Sequence, residues 1–221
     1  MDGIGELFAD FLAALHDAVV PLVVSYPNDR ALDYETLTNF ARARLPPDRP
    51  FVLLGESFSG PVAIALAAFR PPGLRGLILC CSFARNPVPA FSVFKHLLGA
   101  LPVAASFTGL IAPFLLGANS TPTLRSALRS AVGQVAAPVM RARLRAVLEA
   151  DYSAQLREVG VPVLYLQASR DWIVPAGAAR HLTTLVPAIE VARIDGPHLL
   201  LQAKADQAAD IVRRFIGSLL S

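Results

Sequence analysis

Apolar residues fall into two kinds of run along this chain. Short unbroken blocks, bounded by turn residues, predict buried strands at Pro21–Tyr26, Phe51–Leu54, Leu74–Ser82, Val161–Leu166 and Ile189–Ile194. Between them the apolar positions recur at helical spacing. Leu7, Phe8, Phe11, Leu12, Leu15 and Val19 form one stripe over Glu6–Val19. Further helices are predicted over Asp33–Leu45, stopped by Pro46-Pro47, and over Val62–Phe69, Ala176–Val186 and Leu199–Leu220. Strands alternating with helices imply right-handed crossovers and a mostly parallel sheet with helices on both faces, an α/β fold. The alternation lapses from Arg85 to about Asp151, where the pattern is helical or irregular. Leu124–Leu148 reads as one long helix or two, broken near Pro138. The expected organisation is a core of residues 1–86 and 152–221 with a helical cap, 87–151, inserted into it.

Composition narrows the classes. The 221 residues are 54% hydrophobic and 17% charged, which suits a sheet buried on both sides. Net charge is +3, and the basic residues are scattered, so nucleic acid is not expected as a partner. The two cysteines, Cys80 and Cys81, are adjacent in a strand and point to opposite faces, so neither a disulfide nor a metal site is expected. They read as small buried residues in a reducing compartment, and no secretory signal pattern is seen. The location expected is cytoplasmic. Leu97 to Leu124 carries no charge, but Pro102, Pro113 and Pro122 interrupt it, so no stable membrane span is expected.

Chemistry concentrates after three of the strands. Phe51-Val52-Leu53-Leu54-Gly55-Glu56-Ser57-Phe58-Ser59-Gly60-Pro61 puts Ser57 on a sharp turn between a strand and an Ala/Leu-rich helix. Asp171 follows the Val161–Leu166 strand, and His198 follows the Ile189–Ile194 strand. Open parallel sheets place their sites at such carboxyl ends. A serine hydroxyl is a poor nucleophile without an adjacent base. His198 could take its proton, and Asp171 could orient the imidazole. Asp195 is a rival acid but reads as a turn residue. Glu56 reads as a polar neighbour at the pocket edge or in supporting hydrogen bonds. His16, His96 and His181 lie in helical patterns and read as structural or exposed.

Gly55-Glu56-Ser57-Phe58-Ser59-Gly60 resembles the nucleophile elbow of the α/β-hydrolase superfamily, with Ser59 where a second glycine is usual. The chain order Ser57, Asp171, His198 is also that of the superfamily. The resemblance implies a serine hydrolase acting without cofactor on a carboxylic ester or related acyl bond, through an acyl-enzyme. It implies one oxyanion donor at the Phe58 N–H. The second would come from a loop after an early strand, and Met1-Asp2-Gly3-Ile4-Gly5 looks like the tail of that loop, with Met1 at the donor position. The strand before that loop is absent, so the fold is expected to be N-terminally shortened. Pairing of the flanking strands, or a second chain forming a homodimer through an exposed sheet edge, are alternative ways to close the gap. The apolar cap residues, among them Phe91, Phe94, Phe107 and Phe114, suggest a small-molecule ester with a moderately apolar acyl part. The rival reading is a non-catalytic ligand-binding or interaction member of the fold with an incomplete oxyanion hole.

Overall fold

A computed structural model of the chain describes residues 3, 5–16, 19–96 and 108–219. Four strands, β1 (Phe51–Glu56), β2 (Leu74–Cys80), β3 (Val163–Ala168) and β4 (Glu190–Ile194), form one sheet in the order β1-β2-β3-β4. Every pairing is parallel. Successive side chains of the strands turn to opposite helical layers. Ile78, Cys80, Leu164 and Leu166 pack on α1 (Ala9–Ala14) and α10 (Ala205–Ser218). Leu77, Leu79, Val163 and Tyr165 pack on α3 (Gly60–Ala68), α7 (Ser153–Arg157) and α8 (Ala176–Leu185). Both faces are covered, which is why the central strands carry no polar alternation. Helix α3 is buried over Gly60–Ala67, consistent with its lack of a polar face.

Helix α2 (Tyr34–Arg42) starts at Asp33, whose carboxylate accepts the Thr36 N–H at 2.8 Å. Between β2 and β3 the chain leaves the sheet for a helical insertion. Its described α-helices are α4 (Thr108–Leu116), α5 (Pro122–Gly133) and α6 (Ala137–Glu149), with 3-10 segments at Pro89–His96 and Gly117–Asn119. The Leu124–Leu148 pattern is thus two helices, and Pro138 lies in the first turn of α6, where its missing N–H has no helical acceptor to lose. The neck is pinned by an antiparallel bridge between Arg85 and Asp151 and by Tyr152 N–H donating to the Ala84 carbonyl at 2.6 Å.

Three expectations are corrected. Pro21–Tyr26 is not a strand: among the described residues it pairs with none of the four strands, and Leu22 is 62% exposed. A strand is defined by its ladder, and among the described residues none forms here; the Tyr26 N–H instead donates to the Gly3 carbonyl at 2.7 Å. The stripe over Glu6–Val19 forms a shorter helix, a 3-10 turn at Glu6–Phe8 followed by α1, and the backbone turns left-handed at His16. The closing helix is broken into α9 (Leu200–Ala203) and α10, because Lys204 leaves helical geometry at φ −137° and ψ 44°.

Candidate active site

Ser57 sits between β1 and α3, in a 3-10 turn over Ser57–Ser59, at φ +50°. That left-handed value is unfavourable for a residue with a Cβ. The approach of strand and helix leaves no room around it. A Cβ on Gly55 would lie 2.8 Å from both Ala63 Cβ and the Ser59 carbonyl oxygen. One on Gly60 would penetrate Ser82 Oγ. The second close approach therefore falls on Gly60, and the departure at Ser59 from the expected Gly-x-Ser-x-Gly spacing is accommodated. Ser82, just past β2, donates its hydroxyl to the Ser57 carbonyl at 2.7 Å and braces the turn.

The three side chains meet. Ser57 Oγ and His198 Nε2 are 2.8 Å apart. His198 Nδ1 lies 2.9 Å from both Asp171 Oδ1 and Oδ2. The His198 and Asp171 side chains are only 3% and 6% exposed. Asp171 Oδ1 also accepts the N–H groups of Ile173 and Val174, each at 2.8 Å, which fixes the carboxylate as an acceptor facing the ring. With that acceptor on Nδ1, the proton resides there and Nε2 is left to accept from the serine. Asp195 does not compete. Its carboxylate accepts from Ser169 Oγ at 2.7 Å and from Arg170 at 3.1 Å, so it is a turn residue. Glu56 accepts from Gln202 Nε2 at 3.0 Å, a supporting contact beside the elbow. His181 bonds Ser153 Oγ at 3.0 Å, and His16 follows α1.

Phe58 is held on several sides. Its ring stacks on Tyr34 at 4.8 Å, meets the edge of Tyr26 at 6.3 Å, and lies 5.8 Å from the Arg143 guanidinium. The Tyr34 hydroxyl donates to the Phe58 carbonyl at 3.0 Å. These clamps were not legible as such: Tyr34 and Arg143 carry no local signal of a partner this distant in sequence. Met1, the expected second oxyanion position, lies outside the described residues. Cys80 and Cys81 are free and buried, and burial pushes the Cys80 thiol well up. Cys81, Asp171 and His198 place one donor atom each within 4.8 Å of one another. The imidazole Nδ1 and the carboxylate of that set are already bonded together.

A match to the family model described as serine aminopeptidase, S33 (Hydrolase_4) covers residues 22–196. The chain belongs to this family of α/β-hydrolases. A pimeloyl-[acyl-carrier protein] methyl ester esterase of Aromatoleum aromaticum is 29% identical over 179 residues, 72% of this chain and 71% of that protein. Another protein of that name, from Methylococcus capsulatus, is 28% identical over 185 residues, 77% of this chain and 72% of its own length. A thermophilic esterase from Thermogutta terrifontis superposes with a TM-score of 0.83 at 18% identity, over 97% of this chain and 86% of that one. The last comparison bears on the fold alone. This S33-family member is thus an α/β-hydrolase with esterase homologues, a helical insertion and a Ser-His-Asp arrangement at the strand ends. No helix among its described residues is long and apolar enough to cross a membrane.

Proposed function

We propose that the protein is a serine hydrolase that cleaves the carboxylic ester of a moderately apolar small molecule through an acyl-enzyme. The observation that carries this reading is the unbroken chain from Ser57 Oγ through His198 to Asp171, at 2.8 and 2.9 Å. Ser57 Oγ attacks the ester carbonyl as His198 Nε2 takes its proton. Asp171 holds the imidazole and stabilises the cation that forms. His198 then protonates the departing alkoxide, and the same residues activate a water that hydrolyses the acyl-Ser57 ester. The Phe58 N–H opens the 3-10 turn after Ser57, where the first N–H groups of a helical segment have no internal acceptor. It is the oxyanion donor in this reading.

The apolar character of the substrate is supported by the insertion. Leu115 on α4 accepts the N–H of Leu199, next to His198, so α4 lies beside the imidazole loop. Its Ile111 and Phe114 are exposed, as is Trp172 beside Asp171. The two methyl ester esterases among the relatives favour a short alkoxide leaving group on a longer acyl chain. The buried free thiols support a reducing, cytoplasmic setting.

The test is turnover of p-nitrophenyl and methyl esters of graded acyl length by the wild type and by Ser57→Ala, with fluorophosphonate labelling of both. Turnover and labelling confined to the wild type are expected. Equal background rates, with no label on Ser57, would leave the non-catalytic reading in possession of the fold.

A further inference from the structure

Arg143 is a charged residue of the insertion, carried on α6, and it is buried. A guanidinium is costly to take out of water, so what it is held against matters. This one reaches three separate stretches of the core. Its Nη2 donates to the Pro27 carbonyl at 2.9 Å. Its central carbon lies 5.8 Å from the centre of the Phe58 ring. The Gly3 backbone rests on its flank: a Cβ there would stand 3.1 Å from Nη1 and 3.3 Å from Nη2. Gly3 is at φ +67°, and its carbonyl accepts the Tyr26 N–H at 2.7 Å. One planar group therefore adjoins the start of the described chain, the 26–27 turn and the residue after Ser57.

In the serine-hydrolase reading, on which this inference rests, the Phe58 N–H is the oxyanion donor. Tyr34 holds that residue from one side, through the Phe58 carbonyl at 3.0 Å and by stacking on its ring. Tyr26 meets the ring edge-on. Arg143 spans the gap from the ring to Gly3 and to the Pro27 carbonyl. An oxyanion donor is effective only when fixed before the charge develops, and a misplacement of about 1 Å can cost roughly 10²-fold in rate. Lysine would keep the charge but not the flat fork that meets a carbonyl, a ring and a backbone together.

We propose that Arg143 is a positioning residue for the reaction: its guanidinium fixes Phe58, and with it the Phe58 N–H, against the Gly3 and Pro27 backbone, where the oxyanion forms as Ser57 attacks. By this route the insertion reaches the catalytic turn itself, besides standing beside the imidazole loop through α4.

Turnover of p-nitrophenyl esters is measured, well below the melting range, for the wild type, Arg143→Met, Arg143→Lys, Arg143→Ala and a control, Asn28→Ala. Asn28 Nδ2 donates to the Gln134 carbonyl at 3.0 Å, so the control cuts another tie between this part of the core and the insertion. Arg143→Met is expected to lower kcat by roughly 10²-fold with KM within about twofold. It should weaken an alkyl trifluoromethyl ketone, which forms an oxyanion on Ser57, by the same factor. Arg143→Lys should recover little. Guanidinium chloride, far below denaturing concentration, should restore part of kcat to Arg143→Ala, and ethylammonium chloride should not. Asn28→Ala should keep its kcat. A wild-type kcat in Arg143→Met would overturn the proposal, as would an equal kcat loss in Asn28→Ala or a loss confined to KM. The backbone amide resonance of Phe58 asks the same question without turnover: it should move in Arg143→Met and stay in place in Asn28→Ala. A wild type no more active than Ser57→Ala would end the hydrolase reading. A Phe58 amide unmoved in Arg143→Met would end this one.

Discussion

Ser57 is held at φ +50° by neighbours that leave strand and helix in contact, and this conformation favours glycine. Placed there, Ser57, the nucleophile of the proposed reaction, projects its hydroxyl toward His198 at the expense of backbone strain of about 1–2 kcal/mol. Ser57→Ala and Ser57→Gly should therefore be equally inactive but unequally stable. Glycine is expected to melt above alanine by roughly 3 °C, because it alone is at ease in the left-handed region; equal melting temperatures would show that the turn is unstrained. Asp171 makes a second residue-level case. Its Oδ1 takes two backbone N–H groups as well as the imidazole. In Asp171→Asn an amide N–H₂ can face the ring and reverse the tautomer of His198. Ester turnover should fall by roughly 10⁴-fold with the Tm little changed, measured with the same p-nitrophenyl esters. A loss below tenfold would remove Asp171 from the role.

Elements that meet their partners locally were legible, and those that depend on distant partners were not. The β1–Ser57–α3 unit could be read because an apolar run, two small residues and an Ala-rich helix are contiguous in sequence. Asp171 and His198 followed from the rule that chemistry gathers at strand ends. Pro21–Tyr26 has the apolar content of a strand, but pairing decides that state, and among the described residues no ladder forms on it. Likewise the break at Lys204 interrupts an apparently continuous helical stripe. Arg143 is the clearest illegible case, an arginine in an insertion helix that is only 1% exposed. It donates to the Pro27 carbonyl at 2.9 Å and lies over Phe58, so α6 is tied to the elbow through its guanidinium. Arg143→Met keeps much of the volume and leaves that carbonyl without its donor. A loss of about 2 kcal/mol is expected, seen as a Tm lower by roughly 6 °C. An unchanged Tm would mean that the insertion does not need this anchor.

At the scale of the whole molecule, the shifted groups that titrate on the acid side give proton linkage of one sign. Asp33, Asp151 and Asp195 are held below the usual carboxylate range, chiefly by hydrogen bonds from Thr36, Ser153 and Ser169. Each contributes stability above the unfolded carboxylate value, near 3.9, which is lost as pH falls through the folded one. His181 acts earlier. Burial first, then the positive charge of Arg85, holds its pKa below the usual imidazole value, while Asp151 pulls the other way. The unfolded chain therefore binds a proton more readily at this site than the folded one. The neutral ring's contribution is complete above about pH 6.5 and drains away as pH falls below it. His181 bonds Ser153 Oγ at 3.0 Å, linking α8 to α7, so its protonation weakens the packing of the helices beneath β3. Two acid limbs should appear in a plot of Tm against pH, one beginning near pH 6.5 and one near pH 4. His181→Gln can keep a hydrogen bond to Ser153 but cannot titrate, so it should flatten the first limb and leave the second in place. A variant that retained both limbs would assign the first to another histidine.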